Sequence, residues 1–320
     1  VFAYIIRRLA QSIVVFLIVL LITFALPYFE QGGTLAPAYV VLGNHANAAA
    51  VHQWGVQNGI FHPFFVRFWN YIVQIVYHGN LGYSWKQNQS VWSLISVFVP
   101  RTIWLAFISL VLTVIVALPI GVIQASKRNT VFDYSMTNLF FVLYGVPAFL
   151  LSLLMINWFI FNSFHLPLPP TDGSALQIFT NPAPFILPVV TLALLNLAFF
   201  SRFMRSAILD VLVQDYIRTA KAKGGSQRRV LFRHAFRNAL GPIVIILGLS
   251  IPGLFGGALI IESVYNYEGI GYESVVSAQN LDLPVVLGIT LLITIFTIFG
   301  NLLADIMLGV VNPRVRVEGR

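Results

Sequence analysis

From Ile103 to Ile123 the chain contains no charged residue, and Ser135–Asn162 and Pro184–Phe200 are equally free of charge. Runs like these constrain the fold more than any motif, because a hydrocarbon core of about 30 Å is crossed by about 20 apolar helical residues. Three further stretches are apolar with charge only near one end: Ile5–Phe29, Leu240–Glu262 and Pro284–Gly309. In lipid a helix satisfies its backbone polar groups within one segment. The six stretches therefore read as six transmembrane helices of an all-α integral membrane protein. Composition agrees: charged residues are 9% of the 320 and hydrophobic ones 58%, whereas soluble domains carry about 25% charge. Soluble enzyme, disordered chain and nucleic-acid binder are all poor fits, despite a net charge of +8. The first apolar run, Ile13 to Phe29, is longer than the roughly 7–15 residues of a signal-peptide core and reads as a retained helix.

Lysine and arginine set the orientation, since cytoplasmic loops carry their excess. Sixteen of the nineteen fall on one side: Arg7 and Arg8, Lys127 and Arg128, nine between Arg202 and Arg237, and Arg314, Arg316 and Arg320. The other side receives Arg67, Lys86 and Arg101. With six spans, both termini are cytoplasmic. Four parts follow: an N-terminal transmembrane helix (1–29), a structured extracytoplasmic region (30–100), a five-helix core (101–313) containing a cytoplasmic loop (202–239), and a basic tail (314–320). Cysteine is absent, which excludes disulfides and thiol chemistry. The six histidines lack the spacing of a metal site, so no metal is expected.

Within the extracytoplasmic region Phe64, Phe65, Phe68, Ile72, Ile75 and Val76 recur at helical spacing. They predict an amphipathic helix that lies on the membrane face or packs on the bundle. On the cytoplasmic side, Asp215 is placed to cap a short helix, Tyr216–Lys223, which Gly224-Gly225 ends. Ser226 is placed to cap a second helix, with Val230, Leu231, Phe232, Ala235, Phe236 and Ala239 on one face and Arg228, Arg229, Arg233 and Arg237 between them. A basic helix pair of this kind either rests on anionic lipid or docks a cytoplasmic partner. Residue chemistry leaves both open.

The run Asp215-Tyr216-Ile217-Arg218-Thr219-Ala220-Lys221-Ala222-Lys223-Gly224, followed by Arg233-His234-Ala235-Phe236-Arg237-Asn238-Ala239-Leu240, resembles the cytoplasmic loop of ABC importer permeases of the dipeptide/oligopeptide/nickel family. Tyr4-Ile5-Ile6-Arg7-Arg8-Leu9 resembles that family's start. Gly79-Asn80-Leu81-Gly82-Tyr83-Ser84 and Val99-Pro100-Arg101-Thr102 resemble the approach to its second span. Gly256-Gly257-Ala258 with Glu262, and Glu268-Gly269-Ile270-Gly271, resemble its fifth span and the loop beyond. Asn301-Leu302-Leu303-Ala304-Asp305 and Asn312-Pro313-Arg314 resemble its close. The likeness covers nearly the whole chain apart from about 28–59. It departs from the family at Arg218-Thr219-Ala220, where the general motif has Glu-Ala-Ala. It departs again at Glu30-Gln31-Gly32-Gly33 and at Glu268, where the family carries Pro-Gly-Asp-Pro and Pro-Gly-Leu-Gly.

The resemblance implies a type I ABC importer permease fold in the cytoplasmic (inner) membrane. It implies a second homologous permease subunit, in a heterodimer, and two ATPase subunits that bind ATP and Mg. It also implies an extracytoplasmic substrate-binding protein, with di- or oligopeptides as cargo; nickel chelates, glutathione or another small solute are the alternatives. Residues 215–224, from Asp215 to Gly224, would form the coupling helix seated in an ATPase cleft. No cofactor is expected in this chain, which has no GxxxxGK[ST] phosphate loop.

Polar groups inside spans are costly and mark either a path or a contact between helices. Asn157, Asn196 and Asn301 are the candidates to line a translocation path. Glu262 and Asp305 sit near span ends, and Gly253 and Gly257 suit close packing. An ion-coupled secondary transporter would place ionisable groups at mid-membrane on broken helices, often in inverted repeats, and neither is found here. A hydrolase would need a nucleophile motif, and there is none.

Overall fold

The structure, a computed structural model, describes residues 2–25, 35–43, 45–171 and 174–311, with the side chains of 2–9, 36, 163, 249, 251–257 and 303–311 excepted. Glu30–Gly33, the basic tail, the side chains of Pro252 and Asp305 and the surroundings of Gly253 and Gly257 lie outside that description. The described chain is helical between its connecting loops, with a single bridge between Tyr83 and Ser90 as its β pairing. In order the helices are α1 (Phe2–Ala25), α2 (Ala36–Leu42), α3 (Ala48–Gln57), α4 (Phe64–His78), α5 (Val91–Ser126), α6 (Val131–Gly145), α7 (Ala148–Ile156) and α8 (Gln177–Thr180). There follow α9 (Ile186–Leu212), α10 (Asp215–Ala222), α11 (Gln227–Arg229), α12 (Arg237–Tyr265), α13 (Ile270–Gln279) and α14 (Leu283–Val311).

Among the described residues four stretches are long and apolar enough to cross a membrane: Val91–Ser126, Ala183–Leu212, Gln227–Gly248 and Leu283–Leu302. A fifth consists of α6 and α7 taken together, Val131–Gly145 with Ala148–Asn162. The expected single span Ser135–Asn162 is in fact broken, with the two halves bent by 101°. Val146-Pro147 is the cause. Proline has no N–H to continue the ladder and forces the residue before it out of the helical region, and Val146 is extended at φ −77, ψ 123. Pro147 then caps the start of α7. Helix α5 is longer than its expected span Ile103–Ile123; its 36 residues measure about 54 Å, well beyond a hydrocarbon core.

The contacts divide the chain into two units, one of residues 1–101 with 268–299, the other of 102–267 with 300–320. The second unit is organised around α9, on which twelve residues are buried, among them Leu192, Phe200, Met204 and Ile208. At Gly121 of α5 a Cβ would stand 2.6 Å from the Ser201 carbonyl oxygen and 2.7 Å from the Met204 Cβ. Glycine is therefore what lets these two helices approach. Beside this contact the Ser201 hydroxyl donates to Gln124 Oε1 at 3.0 Å, so the apolar seam contains a satisfied polar peg. In the first unit Gly288 plays the same part: a Cβ there would meet Val91 Cγ1 at 2.5 Å.

Because the atoms facing Gly121 are two backbone atoms and a Cβ, none of which can rotate away, Gly121→Ala is expected to overpack the α5–α9 seam. The cost is about 1–3 kcal/mol, read as a lowered unfolding midpoint of the purified protein in detergent.

Candidate functional site

In the basic segment 213–239 the first helix is built outward from a single buried side chain. Helix α9 ends at Leu212, and Gln214 is extended at φ −71, ψ 149 before α10 begins. On α10, Ile217 is 0% exposed. It inserts into a cluster with Leu118 and Val122 of α5, Met204 and Ile208 of α9, and Val230, Leu231 and Ala235 beyond the turn. Asp215, Tyr216, Arg218, Thr219, Lys221, Ala222 and Lys223 face outward and Ala220 is half-buried. One apolar face thus roots α10 while the rest of it presents a basic surface.

The end of α10 is closed by hydrogen bonds. Gly224 N–H donates to the Lys221 carbonyl at 3.0 Å and Gly225 N–H to the Ala220 carbonyl at 3.1 Å, the paired bonds of a Schellman cap. Gly224 lies at φ +78, in the left-handed region that glycine enters at no steric cost. Gly225 is needed for a different reason, because a Cβ there would sit 2.8 Å from the Ala220 carbonyl oxygen. The expected ending at Gly224-Gly225 is therefore correct.

Two expectations in this segment are corrected. Asp215 is the first helical residue rather than the cap; Gln214 holds the cap position, with no side-chain capping bond. The Asp215 carboxylate instead accepts from Arg218 Nη1 at 3.4 Å. It remains favourably placed in the positive first turn. The second helix is not separate: α11 runs through a π-helical stretch, Val230–Phe236, directly into α12. That widening changes which side chains share a face. Val230, Leu231, Ala235 and Ala239 are buried as expected, whereas Phe232 is exposed. Ser226 does cap this helix, accepting from Arg229 N–H at 3.4 Å. A cleft of ≈ 550 Å³ opens beside α10, with Arg128, Lys221 and Gln227 at its polar margin and Leu209, Leu212 and Leu231 among its walls.

The three asparagines occupy separate places. Asn157 begins a second π-helical stretch, Asn157–Ser163, and accepts from Asn162 Nδ2 at 2.6 Å. That separation of five residues is the one a π-turn brings together. Asn196 donates to the Leu192 carbonyl of its own helix at 2.9 Å. Asn301 is half-buried on α14. No hydrogen bond shown among the described residues joins any two of the three.

The structure also shows polar contacts that the sequence pattern did not single out. Asp133, at the start of α6, accepts from Arg205 Nε at 2.8 Å and Nη2 at 2.7 Å, and from Asn129 N–H at 3.1 Å. Read along the chain, Arg205 is one more basic residue of a basic loop. In space it is the bidentate partner of an almost fully buried carboxylate. The scarcity of acids, eleven in 320 residues, was the available signal, since a carboxylate in so apolar a chain needs a partner. Thr102 likewise donates to Glu262 Oε1 at 2.6 Å, both buried.

In the first unit Asp282 accepts from the Ser84 hydroxyl and from the N–H groups of Trp85 and Lys86. This ties the turn 84–87 to residue 282. Arg101 Nη1 pairs with Glu268 at 3.0 Å. Glu273, 4% exposed, accepts from Gln87 Nε2 at 2.6 Å and Ser277 Oγ at 2.8 Å. Burial pushes its carboxyl above the usual glutamate range, and the nearby Asp282 and Glu268 push the same way.

A raised folded-state pKa means that the folded protein holds its proton longer than the unfolded chain does. The stability contributed at Glu273 is then lost as pH rises from the usual glutamate range through the raised value. Glu273→Gln should flatten that decline, so that the variant gains on the parent as pH increases, in unfolding midpoints measured across mildly acidic to neutral pH. Asp133→Ala strands Arg205, which keeps 29% of its side chain exposed and so can be hydrated. A loss on the order of 2 kcal/mol is expected in the same assay, below that of a fully buried pair.

Comparison with known proteins shows the family. Residues 117–317 match the family described as binding-protein-dependent transport system inner membrane component, and residues 1–106 match the family of its N-terminal region. The chain is 34% identical to the oligopeptide transport system permease protein AppB of Bacillus subtilis, over 98% of this chain and 99% of that protein. It is 33% identical to the dipeptide transport system permease protein DppB of Escherichia coli K12, over 98% of each. It is 34% identical to the glutathione transport system permease protein GsiC of Escherichia coli O6:H1, over 98% of this chain and 99% of that protein. The chain belongs to the inner membrane components of binding-protein-dependent transport systems, the permease subunits of ABC importers.

Proposed function

We propose that this chain is one permease subunit of a peptide importer, with α10 as the helix through which ATPase subunits drive it. The observation that carries the reading is the construction of α10: a short basic helix closed at one end by a Schellman cap and rooted by Ile217 in a cluster shared with α5, α9 and the start of α12. A force applied to such a helix moves the helices beneath it as a rigid body. Arg218 suits the role because its pairing with Asp215 is exposed and 3.4 Å long. An ion pair of that kind holds by well under about 1 kcal/mol, which leaves the guanidinium free to exchange partners. Lys221 and Lys223 add positive charge for an acidic cleft.

In this reading the chain crosses the membrane six times with both termini in the cytoplasm. A second homologous permease completes the path, and Asn157, Asn196 and Asn301 contribute polar groups to it. Two ATPase subunits bind ATP and Mg, and an extracytoplasmic binding protein delivers cargo. Di- or oligopeptides are the cargo class, by analogy with the oligopeptide and dipeptide permeases it resembles. Glutathione, itself a small peptide, follows from the third relative.

The decisive experiment reconstitutes the whole importer and compares ATP hydrolysis with peptide uptake. In Arg218→Glu and Gly224→Pro, hydrolysis should persist while uptake falls on the order of tenfold, the size of a typical coupling energy. Loss of the assembled membrane bundle in those variants, or unchanged uptake, would count against α10 as the coupling helix. Ligand bound to the co-purified binding protein identifies the cargo.

A further inference from the structure

Helix α4 has three faces rather than two. Phe64, Phe68, Tyr71 and Ile75 lie on one face and are half-buried. Three of these rings pack around Phe24, at 5.6 Å for Phe64, 5.6 Å for Phe68 and 5.7 Å for Tyr71. Arg67 lies over the same ring at 5.9 Å. A second, narrow strip carries Asn70, Gln74 and His78, all exposed. The third face is apolar and open: Phe65 is 73% exposed, Trp69 66% and Val76 68%, with Val66 and Tyr77 beside them. Helical periodicity puts these five on one broad side. A water-facing helix carries charge there, and a helix buried in a bundle is covered.

We infer that this third face is inserted into the lipid interface, making α4 an in-plane membrane anchor beside the first span. Phe24 specifies the occupant. It is the penultimate residue of α1, whose stretch Ala10–Ala25 is apolar. The contact therefore sets α4 against the outer part of the expected span Ile5–Phe29. Amphipathic helices at that depth bury their apolar side about 5–10 Å into the headgroup boundary, and tryptophan and tyrosine are the side chains enriched there. The open face carries no charged residue, so insertion needs no anionic lipid. The role is mechanical: α4 would brace the extracytoplasmic segment against the bilayer while the rest of the importer moves. This inference rests on the reading that the chain after α1 lies outside the cell.

The absence of cysteine from this chain makes the test direct, because single cysteines can be introduced into it without background from the chain itself, and importer carrying the cysteine-free chain serves as the blank. Spin labels at Phe65→Cys, Trp69→Cys and Val76→Cys, compared with Asn70→Cys and Gln74→Cys, are read in nanodiscs of zwitterionic lipid. The ratio of oxygen to nickel-chelate collision should be severalfold higher at the first three positions. Near-equal ratios with free nickel access at Phe65, Trp69 and Val76 would overturn the inference in favour of a water-facing surface. Shielding from both reagents in the importer, relieved when this chain is reconstituted alone, would overturn it in favour of a protein partner. An impermeant maleimide added to intact cells separates the two levels. Modification of Asn70→Cys from outside upholds the topology, whereas modification only after the membrane is opened overturns the topology and the inference with it.

Discussion

Helix α9 is held at close range by three different kinds of contact, and the second unit depends on it. Against α5 it packs backbone to backbone, because Gly121 has no side chain to keep the Ser201 carbonyl away. To α6 it is tied by Arg205, whose guanidinium grips Asp133 with two hydrogen bonds. Beyond its own end it supports α10, because Met204 and Ile208 form part of the cluster that receives Ile217. A close steric contact, a charge pair and an apolar socket all lie within four turns of one helix. Displacing that helix would disturb all three together. Such linkage is what a subunit needs if it is to switch between discrete packings rather than deform gradually.

The same arrangement explains how a helix as short as α10 holds its shape. Eight residues are too few for a stable helix in water. Here the missing stability comes from tertiary contact and from the ends. Ile217 contributes burial, and the Gly224–Gly225 cap satisfies the last carbonyls. What remains exposed is basic and lightly paired, chemically suited to a partner that arrives from solution. Immediately after the cap the chain enters α11 and runs without interruption into α12, so movement of α10 has a short covalent route into a long apolar helix.

In the first unit, segments far apart in the chain converge. The turn at Ser84–Lys86 is held by Asp282, Arg101 pairs with Glu268, and Gln87 bonds Glu273. These segments overlap the Gly79–Ser84, Val99–Thr102 and Glu268–Gly271 runs that carried the family resemblance in the sequence. Their common reason is now physical: each contributes one side of a polar clasp between the start of α5 and the α13–α14 region. Glu268 is a member of that clasp.

The sequence by itself determined the class of protein, because runs such as Ile103–Ile123 and Pro184–Phe200 can be satisfied only as helices in lipid. It also determined the capped basic helix, because glycine at 224 and serine at 226 are local signals that act over four residues. What it did not reveal depends on neighbours distant in the chain. Val146-Pro147 read as the interior of a span because the apolar run continues through it; proline alone does not mark a break, since Pro100 and Pro119 sit inside unbroken helix α5. Phe232 was misplaced because a π-helical stretch shifts helical register without leaving a mark in composition. Asp133 and Arg205 stand 72 residues apart, and nothing local reports that they meet. Tertiary structure alone decided these, because close approach between helices, as at Gly121 and Ser201, is a property of two surfaces and not of either sequence.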